Sequence, residues 1–562
     1  MLFVSFDFLL FFVPVLACYW ALARRPLARL ALLLGASYFF YVASPRGVGG
    51  ALPTPWYYVI LLGASTLVDY VAALRIDAAP VKSLRARLWM LASLSANLGL
   101  LGYFKYTGFF LTASQDLADW LGMQVSLPVW QTVLPIGISF YTFQSLSYTI
   151  DVWRGRLTPE RSFLRFAVYI AFFPQLVAGP IVRASEFLPQ FRLRLCLGVE
   201  DVNFAVWRVT KGLFKKIVFA DFVATNFTDL VFASPEQYSS LENLFALYAF
   251  TLQIYADFSG YSDIAIGVAR LLGFRLPENF DRPYQSQSVG EFWRRWHITL
   301  STWLRDYLFF PLGGSLVSPA RAYFNLWLTM FLVGMWHGAS WNFVVYGNLQ
   351  ALAMMYSRYL RQRSKSGRRF GGAELVVVAA VLGALAWLLG VGPLRLDPRL
   401  ASGLGGAVFA FALLNALMPA PGGSLGWGAA HVALTFHFTT LSRVFFRAED
   451  LQRAREMVGK LLAWDFRGVR EGLFRRESLV EWGAEVGGVW GEILTTVGDK
   501  LVFIVLVVGI GYHFTPRREL DQIGQRLFAK LPAPMLAVVV AFVAWLGVQL
   551  LTGPRANIYF QF

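Results

Sequence analysis

Apolar runs recur along almost the whole chain, separated by short polar punctuation. The runs 2–22, 28–43, 56–74, 88–111, 130–150, 163–182, 204–232, 241–273, 322–347, 348–360, 374–392, 403–418, 427–446, 501–514 and 535–552 are candidate membrane spans. An α-helix needs about 20 apolar residues to cross a bilayer core, so the shorter runs are re-entrant or fused and the length rule predicts about a dozen crossings. Period-two alternation is missing, so the spans read as helices and not as strands of a barrel. No internal repeat is visible, which argues against the inverted-repeat transporter architectures. Two stretches break the pattern. Residues 275–321 are polar and aromatic, and residues 447–500 carry Glu449, Asp450, Arg453, Arg455 and Glu456 around an amphipathic segment. The chain thus divides into a membrane core over 1–446, with an amphipathic interfacial region at 275–321, charged interfacial or loop helices at 447–500, and C-terminal transmembrane helices at 501–562.

Helical spacing places Trp293, Trp296, Leu300, Trp303 and Tyr307 in one stripe, with Arg294, Arg295, Thr299, Thr302, Arg305 and Asp306 largely off it. That pattern predicts an amphipathic helix at the membrane surface, anchored by aromatics. The Gly/Ala/Leu-rich segment 371–428 reads as closely packed peripheral helices.

Composition narrows the class. Hydrophobic residues make up 57% of the 562 and charged residues only 15%, against about 25% in soluble domains. Disordered chains, disulfide scaffolds and ordinary soluble enzymes are excluded. The net charge of +16 comes from short basic clusters between the runs, such as Arg24, Arg25 and Arg29, or Arg358, Arg361, Arg363 and Lys365. This is the positive-inside pattern, and it leaves no case for nucleic-acid binding. Residues Met1 to Asp7 lack a basic n-region, and Arg24 and Arg25 follow Phe8–Leu22 with no small-residue cleavage site, which predicts a retained first span with its N-terminus outside. Cys18 and Cys196 form neither a disulfide framework nor a metal site, and no metal-ligand spacing occurs.

In so apolar a chain, each buried ionisable residue is a candidate for function. The histidines are His297, His337, His431, His437 and His513. His337 lies sixteen residues into its run, or ~24 Å along a helix, deep in the bilayer. Gly334 and Gly338 flank it, which leaves room for a ligand, and a bend near Gly338 is expected. Trp336, Ser340, Trp341 and Asn342 add a polar-aromatic surround. A neutral imidazole there either serves a site or bonds a backbone carbonyl. His297, on the amphipathic stretch, reads as a surface-helix histidine, and the other three as structural. Asp257 and Asp263 stand six apart and so do not share a helix face; hydrogen bonding or pairing with an arginine is their expected role. No phosphate-cradling loop and no Gly-x-Ser-x-Gly elbow occurs, which leaves an ATP-driven pump or a serine hydrolase unsupported. A histidine base can still drive acyl transfer, because a thioester donor needs no metal.

Six segments occur in order: Pro135 to Tyr141, Phe173 to Ile181, Asp257-Phe258-Ser259-Gly260-Tyr261, Glu278 to Tyr284, Phe292 to Gly314, and Trp336-His337-Gly338. Together they resemble the membrane-bound O-acyltransferase (MBOAT) family, in its bacterial alginate O-acetylation branch. The likeness runs to about Arg447, and the closing Ile558-Tyr559-Phe560-Gln561-Phe562 also resembles that branch. It implies an all-α polytopic bundle around a central funnel, to which 275–321 would contribute. His337 matches the family's catalytic histidine, and His297, forty residues before it, the upstream partner. The expected function is acetyl transfer from a cytoplasmic thioester, acetyl-CoA or another donor substrate, toward hydroxyls of an extracytoplasmic polysaccharide such as alginate. No cofactor is bound. His337 would be the general base, with His297 or Asn342 orienting the donor carbonyl and Trp336 beside them. Arg294, Arg295 and Arg305 would draw a phosphate-rich donor to the cytoplasmic mouth, or simply obey the positive-inside rule. The resemblance also implies the bacterial inner membrane, an esterase-like extracytoplasmic partner and a polysaccharide acceptor. Two alternatives stand beside it: D-alanyl transfer from a carrier protein to teichoic acid, and a non-catalytic transporter or channel.

Overall fold

The computed structural model describes residues 3–46, 52–53, 55–130, 133–193, 196–365, 372–391, 397–418, 425–465, 477–532 and most of 534–543. Those residues are helical apart from turns, loops and one antiparallel ladder pairing Pro45 with Pro53 and Arg46 with Leu52. The first apolar runs become the helices Phe6–Ala21, Pro26–Val42 and Tyr58–Asp77. Ser5 caps the first by accepting from the Phe8 N–H, and Pro26 opens the second where its missing N–H is not needed. The run 88–111 is longer than expected: Leu84–Leu101 continues through a π-helical turn, Gly102–Tyr106, into Thr107–Trp120. The run 241–273 is one helix, Ser240–Leu271, about 48 Å long. A capping box starts it, with Glu242 N–H on Ser239 Oγ (3.3 Å) and Ser239 N–H on Glu242 Oε2 (2.8 Å).

Tyr58–Asp77 and Gly491–Phe514 are long and apolar enough to cross a membrane, while Phe6–Ala21, Pro26–Val42 and Ala401–Leu414 are shorter apolar helices. Among the described residues fewer helices meet that measure than the dozen expected, because polar residues interrupt the longer ones, as Asp257 and Asp263 interrupt Ser240–Leu271. The run 163–182 also differs from a span. It is helical over Phe163–Ala171 and for one turn at Phe173–Leu176, and Phe166, Phe172, Phe173, Leu176 and Ala178 have no exposed surface. Nine residues rise only about 14 Å, so this segment is apolar because it lies in the protein core. Leu10, Val13, Ile60, Leu67, Val507 and Val508 are exposed on their helices, the apolar exterior that lipid requires.

The helix Val199–Phe214 lies against Ser240–Leu271 at the glycine pair Gly212 and Gly260. A Cβ on Gly212 would stand 2.6 Å from the Gly260 carbonyl oxygen, so only small residues allow this approach. The charged region after 447 supplies Leu451–Leu462, capped by Asp450 on the Arg453 N–H (2.8 Å) and burying Ala454, Met457 and Val458. It is followed by Glu477–Val486, Gly488–Phe514 and Arg517–Lys530. The closing residues 558–562 lie outside the described residues.

One expectation about 275–321 fails. The stripe from Trp293 to Tyr307 is not on one continuous surface helix. It divides into Val289–Arg295, a break at Trp296 and His297, Ile298–Leu304 and a π-helical turn Arg305–Phe309. Trp293, Trp296, Leu300, Trp303 and Tyr307 are all buried in protein. The cause is His297, whose φ of 44° is left-handed and turns the chain. Cross-bonds hold the turn: the Ile298 N–H on the Asn279 carbonyl and the Asp281 N–H on the Arg295 carbonyl, both 2.9 Å.

Candidate active site

His337 is the last residue of the helix Pro319–His337. Gly338 then takes an extended conformation, and a new helix, Trp341–Lys365, begins, so the expected bend is present. The glycines around His337 do not provide open space, contrary to expectation. A Cβ on Gly334 would meet the Gly347 nitrogen at 2.8 Å, and one on Gly338 would meet the Phe343 ring. Gly334 serves close helix packing, and Gly338 makes room for Phe343. His337 is 4% exposed. Its ring lies edge-on to Phe446 (5.0 Å between centroids) and Tyr346 (6.3 Å).

His297 is fully buried and is not a surface histidine. The left-handed turn that breaks the helix points it into the core. Its ring meets Phe258 edge-on at 4.7 Å and faces Phe140 at 6.3 Å. Nδ1 stands 3.1 Å from Asn279 Oδ1. That same oxygen accepts from the Thr299 N–H (3.3 Å) and the Thr299 hydroxyl (2.9 Å). A backbone N–H can only donate, so the Asn279 atom is an acceptor and His297 Nδ1 carries the proton. In the neutral ring the lone pair then resides on Nε2.

Trp336 links the two histidines, with its ring 5.7 Å from His297 and 5.0 Å from His337. The helix Pro319–His337 ends in protein, where its last carbonyls need donors. Tyr106 supplies its hydroxyl to the Met335 carbonyl (3.1 Å), and Lys105 gives its ammonium to the Trp336 carbonyl. A cation here also opposes the negative end of the helix dipole. The Lys105 ammonium is near enough to act electrostatically on the buried His337. The arrangement is two buried imidazoles joined through an indole, with an ammonium at the end of the helix that carries one of them.

A model of the membrane-bound O-acyltransferase family matches residues 157–368. A probable alginate O-acetylase of Pseudomonas aeruginosa is 41% identical over 64% of this chain and 66% of its own length. Its counterpart in Azotobacter vinelandii is 41% identical over 64% of this chain and 69% of its own length. The chain belongs to the MBOAT family. A peptidoglycan O-acetyltransferase of Helicobacter pylori is 36% identical over 60% of the chain and 66% of its own length. The chain spans about two thirds of the length of these relatives.

This MBOAT chain is a membrane protein of helical architecture, and its other candidate residues separate by environment. Asn342 is 2% exposed and gives an amide hydrogen to the Ala448 carbonyl (2.8 Å), bracing Trp341–Lys365. Arg295 pairs with Glu291 one turn back, and Arg305 with Asp306. Arg294 is exposed and faces Arg361. Asp257 and Asp263 pair with cations, an arginine among them for Asp263 and a lysine for Asp257. Asp263 holds Arg208 (2.6 Å) and Lys215 (2.8 Å), and Asp257 holds Lys216 (2.7 Å). The lysines are the surprise, because they lie in a run read as an apolar span. Arg208, Lys211, Lys215, Asp263, Glu278, Asn279 and Asp521 line a cavity of about 20 Å³, room for about one water. His513 is structural: it accepts from the Tyr284 N–H (3.2 Å).

Sequence reasoning missed Asn279 and Lys105. Lys105 had a signal, as a lone charge in an apolar run. Asn279 was signalled only as a member of the segment Glu278 to Tyr284, and only the fold brings it to His297.

Proposed function

We propose that this protein is a membrane O-acetyltransferase of the inner membrane, moving acetyl groups from a cytoplasmic thioester, acetyl-CoA, to hydroxyls of an extracytoplasmic polysaccharide. In this reading His337 is the general base. Its ring nitrogen takes the proton of the attacking hydroxyl as that oxygen bonds the thioester carbonyl carbon. The tetrahedral intermediate collapses, the carbon–sulfur bond breaks, and the thiolate takes the proton from the imidazolium. The products are an ester and a free thiol, and His337 returns to neutral. His297 presents Nε2 as an acceptor, which suits holding a hydroxyl better than polarising a carbonyl. The observation that carries the reading is the buried His297–Trp336–His337 cluster, at the positions the MBOAT resemblance marks, in a chain 41% identical to probable alginate O-acetylases. The names of those relatives favour alginate or a similar glycan as acceptor, and the family resemblance adds an esterase-like partner outside the membrane.

The test uses purified full-length protein with acetyl-CoA, following thiol release and ester formation on an oligosaccharide. His337→Ala is expected to lose at least about 100-fold in turnover while migrating as wild type in detergent. Undiminished transfer removes His337 from the mechanism. Product mass separates acetyl from alanyl transfer, and flux without ester formation would turn the reading toward a transporter.

A further inference from the structure

Lys105 is a charged group near His337 to which the reading above gives no role. It sits on the π-helical turn Gly102–Tyr106, an irregularity common at functional sites. Its ammonium donates to the Trp336 carbonyl and stands 5.8 Å from the centre of the Trp336 ring. Among the described residues no aspartate or glutamate pairs with it, and it is half-buried. An ammonium has three N–H donors and one is spent on the carbonyl. A cation so placed, in a low-dielectric surround and without a counter-ion, is prepared for negative charge that arises only during reaction. A second donor points the same way. Trp336 is 5% exposed, and its indole N–H has no acceptor among the described residues. Buried donors are almost always satisfied, so one left over awaits a partner.

We propose that Lys105 is a further catalytic residue of the transfer site, its ammonium stabilising the oxyanion that forms when the hydroxyl attacks the thioester carbonyl. Charge balances through the step. The hydroxyl proton passes to His337, the carbonyl oxygen gains the negative charge beside Lys105, and that charge leaves with sulfur as the carbon–sulfur bond breaks. Lys105 gains and loses no proton. This proposal rests on the reading of His337 as base, and the experiment separates the two.

Lys105→Met, Lys105→Arg and His337→Ala are measured side by side as full chains in detergent, with acetyl-CoA as donor. Lys105→Met is expected to lower kcat about 100-fold, with the acetyl-CoA KM within about threefold of wild type. Lys105→Arg is expected to recover at least a tenth of wild-type kcat. Thermal midpoints report folding, since removing a carbonyl's donor loosens the helix end. Wild-type kcat in Lys105→Met, or no recovery in Lys105→Arg, overturns the proposal and makes Lys105 only a clamp on the helix end. If Lys105→Met turns over normally while His337→Ala is inactive, the base reading stands alone. Normal turnover by His337→Ala removes both.

Discussion

At the residue scale, Asn279 shows how a side chain that touches no substrate can set the chemistry. Its oxygen accepts three hydrogen bonds, from His297 and twice from Thr299, and the residue has no exposed surface. It fixes both the His297 tautomer and the left-handed turn, which is uncommon for a residue with a side chain and costs about 1 kcal/mol or more. Asn279→Leu keeps the volume and leaves those donors without an acceptor, each at about 1–3 kcal/mol. Two results are expected: a fall in thermal midpoint, and a loss of at least about tenfold in transfer by the protein that remains folded. Full transfer at an unchanged midpoint would remove Asn279 from the support of the site. The burial of His297 was hidden from the sequence for the same reason. Periodicity sums over a window, and one residue at φ 44° reorients the stripe without changing a letter.

At the element scale, the pair Val199–Phe214 and Ser240–Leu271 combines glycine contact with buried charge. Asp263 was visible in the sequence as a buried carboxylate, but Lys215 lies 48 residues away, and only the Gly212–Gly260 approach brings the helices close enough to pair them. The end of one helix was more readily read: the bend at Gly338 followed from the glycine. Asp263→Ala leaves Arg208 and Lys215 buried without their shared carboxylate, a cost of about 3–5 kcal/mol. Against the 5–15 kcal/mol usual for a folded protein, this predicts a large drop in the temperature at which the protein aggregates in detergent. Gly260→Val should do the same by forcing the helices apart. If either variant melts with wild type, the contact does not hold the helices together. Asp263→Asn, which keeps one of the two acceptor oxygens and loses the charge, is expected to fall between wild type and Asp263→Ala.

At the scale of the whole molecule, hydropathy reported that the chain belongs in a bilayer but does not by itself separate spans from core segments, because a protein core and a lipid face are equally apolar. The segment 166–176 is the case in point, apolar but for Gln175 and buried in protein. Charge asymmetry is the independent signal, since basic loops stay on the cytoplasmic side. The two cysteines test it without new mutations, both being exposed on the protein. Cys18 lies on the apolar helix Phe6–Ala21, which places it against lipid tails. Cys196 follows Arg192 and Arg194, a basic cluster that belongs inside. A membrane-impermeant maleimide applied to intact spheroplasts should therefore label neither cysteine. Applied to inverted membrane vesicles it should label Cys196 and spare Cys18, and detergent should expose both. Labelling of Cys196 from outside would place that basic loop on the outer side and overturn the positive-inside assignment of this part of the chain.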